Sequence, residues 1–136
     1  MILLDVNNAF GKMRVDADSV RYLGVYPELI LTRIKCFFGK PEFPYEYNII
    51  SKCLEHKSKE IVFGVVRVYV DDLAAFSLYT EAEKNQEKLR KLHTKLFGLR
   101  GLNDVKSKNK PSLQGEVIGW YWDLKAGTHS DLRTQQ

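Results

Sequence analysis

The chain has 136 residues, a hydrophobic share of 44% and a charged share of 28%, a balance that supports one domain with its own core and excludes extended disorder. No apolar run approaches the roughly 18 to 20 residues needed to span a bilayer, and the opening "MILLDV" has neither a basic start nor a cleavage pattern, so an intracellular protein without membrane contact is expected. The net charge of +4 suits contact with phosphates without requiring it, and the two distant cysteines, Cys36 and Cys53, offer no zinc or disulfide framework and read as buried thiols.

In chain order, "MILLDV" predicts a buried strand that carries Asp5 at its C-terminal end. Two β-rich stretches flank Pro27, which pre-sets a turn, and predict strands near 19–26 and 29–37. From Pro44 the apolar positions Tyr47, Ile50, Cys53 and Leu54 recur at helical spacing, and a helix of about three turns is expected. A hairpin over 61–70 and 73–79 follows. A second helix then opens at Thr80 as N-cap and closes at Gly98, with a stripe of Ala82, Leu89, Leu92 and Leu96 and with His93 partly exposed. After a polar loop, "EVIGWYWDL" reads as one strand and "KAGT" as a turn, with the last residues frayed. The order implies an α+β fold, an antiparallel sheet with helices packed on one face. The domain is expected over residues 1–128, with a flexible tail at 129–136.

The stretch "VRVYVDDLAAF" sets two adjacent carboxylates, Asp71 and Asp72, at the tip of the expected hairpin. Such a pair is compatible with a solvated turn. The topology also allows the end of the first strand to lie beside this tip, which would gather Asp5, Asp71 and Asp72 on one sheet edge. Gathered carboxylates repel unless a cation neutralises them, and hard oxygen ligands select Mg²⁺ or Mn²⁺. Two such ions can support an in-line phosphoryl displacement, the chemistry of polymerases, nucleases and cyclases.

These residues resemble a known family. "LLDVNNAF" looks like motif A of reverse transcriptases, with Asp-x-x-x-Ala-Phe spacing, and "YVDD" is similar to their motif C. "FFGKPEFPYEYNII" resembles the motif B segment of retrotransposon polymerases of oomycetes and fungi, and "GLNDVKS" their motif D, with Asn103 and Lys106 in Asn-x-x-Lys spacing. "VIGWYWDL" is similar to the apolar strand that follows, so the resemblance is colinear over residues 1–128. It implies a polymerase palm with a ferredoxin-like core and an RNA-directed DNA polymerase activity that transfers nucleotides from dNTPs to a primer on an RNA or DNA template. By the same resemblance Asp5, Asp71 and Asp72 bind two Mg²⁺ or Mn²⁺ ions, helped by the Val6 backbone. Phe10 excludes ribonucleotides, Tyr69 lies near the primer end, and Lys106 faces the triphosphate as a catalytic cation.

Two departures qualify the match. Pro41, Glu42 and Phe43 stand where the motif B positions are usually small, and no segments resembling fingers or thumb are visible. A palm of this kind is expected to be nearly inactive alone and to depend on other polymerase segments or chains for fingers and thumb. The alternatives are a non-catalytic, domesticated palm that binds nucleic acid or protein, and another two-metal enzyme such as a nucleotide cyclase.

Overall fold

The structure, a computed structural model, describes residues 1–9, 24–26, 31–32 and 42–132. Its centre is a three-stranded antiparallel sheet in the order β1 (Ile2–Asp5), β5 (Asp72–Phe76), β4 (Val65–Tyr69). The middle strand is the most apolar because it is covered on both faces, with Leu73, Ala74 and Ala75 all buried. Pairing of Ile2 with Ala75 and of Leu4 with Leu73, together with Val66 against Ala75, aligns the large apolar residues on one face. Two helices cover that face. Leu54 of α1 (Glu42–Ile61) and Leu89 of α2 (Ala82–Phe97) join Ile2, Leu4, Val66, Leu73 and Ala75 in one buried cluster. The mixed α+β arrangement with helices on one face of an antiparallel sheet is as the sequence leads one to expect.

Several boundaries differ. Helix α1 has 20 residues, about 30 Å, rather than about three turns. Beyond Leu54 its residues are mostly polar, with Ser58 rather than an apolar side chain turned inward, so apolar periodicity fades while the backbone continues, and a Lys57–Glu60 pair lines the exposed side. Thr80 is not a helix cap. It lies in a 3-10 turn, Tyr79–Glu81, and α2 starts after Glu81 with no side-chain cap hydrogen bond. The other end of α2 is at Gly98, whose φ of 87° suits glycine and whose N–H donates to the Thr94 carbonyl. Of the expected stripe, Ala82 and Leu89 are buried whereas Leu96 is exposed, and the inner face is completed by polar residues, Asn85, Gln86 and His93. His93 is fully buried, not partly exposed, and Cys53 is exposed, not buried. Cys36 lies outside the described residues.

The segment read as one strand folds back on itself. Strands β6 (Gln114–Val117) and β7 (Trp120–Asp123) form a hairpin around Ile118–Gly119, and β8 (Thr128–Asp131) adds a third strand to β7. Trp122 faces His129 across β7 and β8 with ring centroids 5.1 Å apart, which gives the polar β8 an aromatic partner. The expected tail thus begins within β8. This second sheet rests on the helix-free face of the first. Trp122 meets Phe76 edge-on at 5.7 Å, and a Cβ added at Gly115 would lie 2.8 Å from Met1 Cε and 3.0 Å from Leu3 Cδ1, so a larger residue there would require these side-chain ends to shift. A short pair, β2 (Gly24–Tyr26) with β3 (Leu31–Thr32), lies within the expected 19–26 and 29–37 strands, whose other residues fall outside the described set.

Candidate active site

The helix-free face carries alternate residues of the same strands. Because Asp5 pairs with Asp72 and Tyr69 pairs with Asp72, one row across the three strands reads Asp5, Asp72, Tyr69. Val70 and Asp71 form the turn, and Asp72 is the first residue of β5. Val70 has a φ of 53°, an unfavourable value for a β-branched residue. Tertiary contacts hold it there: Val70 packs on the cluster of Val6, Ala9 and Tyr47, and the Ser51 hydroxyl donates to its carbonyl at 2.5 Å. The Val6 amide donates to the Asp71 carbonyl at 3.0 Å, fastening the tip of the hairpin to the end of β1.

A loop encloses Asp5 from the other side. The Asn103 amide donates to the Asp5 carbonyl at 2.9 Å and the Asp5 amide donates to Ser107 Oγ at 3.0 Å. These ties bury Asp5 to 5% exposure. Lys106, on the same loop, places Nζ 3.6 Å from Asp5 Oδ2. Between this loop, the sheet and the β6–β7 turn is a cleft of about 560 Å³, lined by Asp5, Asp72, Ala74, Lys106, Lys108 and Glu116 among others.

Partial removal from water pushes the Asp72 carboxyl up to about 6, and a hydrogen bond to Asp5 and the charges of Asp71 and Asp5 act in the same direction, against Lys106. Burial chiefly, and then the nearby negative charges of Asp71 and Asp5, also hold the Tyr47 phenol well above its ordinary range. Asp5, Asp72 and Lys106 are thus brought together, with Asp71 beside them electrostatically. Tyr69 is exposed at the end of the row, Val6 is buried behind Asp5, and Phe10 lies outside the described residues. Among the described residues no three His, Cys, Asp or Glu side chains form a group able to hold a metal ion.

No protein-family model and no curated protein matches this chain. No helix among the described residues is long and apolar enough to cross a membrane.

Sequence reasoning missed Ser107, Tyr47 and Glu116. Each acts through the fold: Ser107 ties the loop to Asp5, Tyr47 packs beneath the hairpin tip, and Glu116 reaches the cleft from the second sheet. A serine directly after the singled-out lysine was the one local signal available.

Proposed function

We propose that this chain is a reverse-transcriptase palm, a part of an RNA-directed DNA polymerase of retrotransposon type that joins dNTPs to a primer end. The observation that supports this reading is the row Asp5, Asp72, Tyr69 with Asp71 at its turn and Lys106 over Asp5, of which Asp5, Asp72 and Lys106 line an open cleft. A sheet in the order β1, β5, β4 with helices on one face supports a palm with a ferredoxin-like core.

The donor set fits a divalent cation in its chemistry. Asp5 and Asp72 face each other across β1 and β5 with Asp71 beside them, an all-oxygen, negatively charged set of the kind a hard cation prefers. Asp5, Asp71, Asp72 and the Val6 carbonyl are the groups that would hold Mg²⁺ or Mn²⁺. When bound, two such ions supply activation of the attacking hydroxyl and charge stabilisation at the phosphate. The chain's own residues contribute placement. The ties from Asn103 and Ser107 fix Asp5, Tyr69 offers an exposed aromatic surface beside the carboxylates, and Phe10 follows Asp5 at the position that excludes ribonucleotides. Lys106 supplies positive charge where triphosphate charge develops.

A second reading, a non-catalytic palm that binds nucleic acid, is favoured by one observation: Lys106 already neutralises Asp5, and the three carboxylates do not form a ligand group. Primer extension on a homopolymer RNA template with Mn²⁺ separates the two. The polymerase reading expects short, non-processive addition of dNTPs that disappears in Asp71→Asn. Binding of primer–template without any extension, even when segments supplying fingers and thumb are added, contradicts it and supports the second reading.

A further inference from the structure

Lys106 reaches Asp5 from a turn whose backbone is fixed. Asn103 Oδ1 accepts the amides of Val105 at 3.2 Å and Lys106 at 3.3 Å, closing a side-chain-mediated turn, and the Ser107 amide donates to the Asn103 carbonyl at 2.8 Å. Both flanks are tied to β1, through Asn103 and Ser107 at Asp5 and through the Lys108 amide, which donates to the Leu3 carbonyl at 3.0 Å. The position of the Lys106 backbone does not depend on its own side chain. That side chain is 68% exposed, whereas the Asp5 side chain it faces at 3.6 Å is 8% exposed. A buried carboxylate is thus met from the solvent side by one ammonium on a long, free stem.

We propose that Lys106 is a displaceable counter-ion: its ammonium neutralises Asp5 in the cation-free chain, and swings into water when a divalent cation binds, so the lysine sets the cation affinity of the site. The inference rests on the reading of Asp5 as a cation ligand. A single ammonium balances one carboxylate. A dication balances Asp5 and Asp72 together, so it has the stronger hold on the pair. Displacing the lysine costs an ion pair that is long at 3.6 Å and exposed on the lysine side, and the loop stays in place because Asn103 and Ser107 hold it. Removing the lysine without losing the loop therefore tightens cation binding by a modest factor, about two- to fivefold, which is the range an exposed ion pair allows.

The test is Mn²⁺ binding by the whole chain, read from loss of the free-ion EPR signal and needing no activity. Wild type, Lys106→Met, Lys106→Gln, Lys106→Arg, Lys108→Met and Asp5→Asn are compared after their folding is checked by circular dichroism. Tighter binding in Lys106→Met and Lys106→Gln, with Lys106→Arg and Lys108→Met near wild type, is the expected result. Equal affinity in wild type and both neutral Lys106 variants overturns the counter-ion while leaving the cation site standing. Equal tightening by Lys108→Met also overturns it, since the effect would then belong to the general field of the cleft. Absence of Mn²⁺ binding in every chain, or binding that Asp5→Asn leaves unchanged, overturns the cation-ligand reading and the counter-ion with it.

Discussion

The two faces of the β1–β5–β4 sheet are made from alternate residues of the same strands, and they have opposite characters. On the face covered by α1 and α2, Ile2, Leu4, Val66 and Leu73 are buried to 2% exposure or less, and even the polar residue that enters, His93, is fully buried. The other face is closed where Phe76 and Leu3 meet the second sheet and where the loop of Asn103 and Ser107 covers Asp5, and between them it opens into the cleft lined by Asp5 and Asp72. One face stabilises the fold through packing, whereas the other keeps unlike and like charges close together at the expense of stability.

The largest expected contrast comes from neighbours on opposite faces. Leu4→Ala should cost about 2–5 kcal/mol, a buried leucine lost from a packed cluster. Leu3→Ala should cost less, since Leu3 is only partly buried beneath Gly115. Urea denaturation of both variants measures this, and equal losses would erase the distinction between the faces.

A second contrast is in pH. Burial lowers the His93 imidazole below its ordinary value; its Nδ1 lies 2.8 Å from the Leu89 carbonyl and its Nε2 has no hydrogen-bond partner among the described residues. Folded His93 binds fewer protons than unfolded, so its contribution to stability falls as pH drops below about 6.5. Asp72 acts in reverse. Its carboxyl rises from 3.8 to about 6 on folding, so the folded chain binds more protons between these values and loses stability as pH rises through that window. Melting curves in metal-free buffer should show the advantage of Asp72→Asn over wild type growing from pH 4 to pH 6. The advantage of His93→Leu should instead appear on acidification and vanish above pH 7. Parallel curves for either variant and wild type would contradict the assignment for that residue.

The smallest effect concerns the two hairpin tips. Ile118 has a φ of 51° and is 49% exposed, with the strain of a β-branched residue and little packing to offset it. Ile118→Gly should raise stability by about 0.5–1 kcal/mol in thermal or urea unfolding, less than the full left-handed penalty because some packing is lost. Val70→Gly should bring no gain, because Val70 packs on Val6, Ala9 and Tyr47. A gain at Val70 would show that the aspartate hairpin is not held by these contacts.

The parts legible in the sequence were those with strong local pattern. β1, the aspartate hairpin and the closure of α2 at Gly98 follow from apolar runs, adjacent aspartates and a glycine. The second half of α1 was hidden because "EHKSKE" has no apolar period, and the β6–β7 turn because Ile118 is a strand former held at positive φ. His93 could not be placed inside by pattern alone; it fills the core beside Phe97, 5.9 Å between ring centroids. Asp5, Asp71, Asp72 and Lys106 were found as candidates. That Lys106 would face Asp5 needed the loop ties of Asn103 and Ser107, which are long-range contacts and leave only weak traces in the sequence.

The most direct test of the cation site is the melting temperature of the chain with and without Mg²⁺ or Mn²⁺, compared with Asp5→Asn/Asp71→Asn. A cation that binds only the folded state raises stability by RT ln(1 + [L]/Kd), about 2.7 kcal/mol at a hundredfold excess over Kd. A concentration-dependent rise in wild type and none in the double variant is the expected result. Equal shifts in the two proteins, or no shift in wild type at millimolar cation, would contradict it.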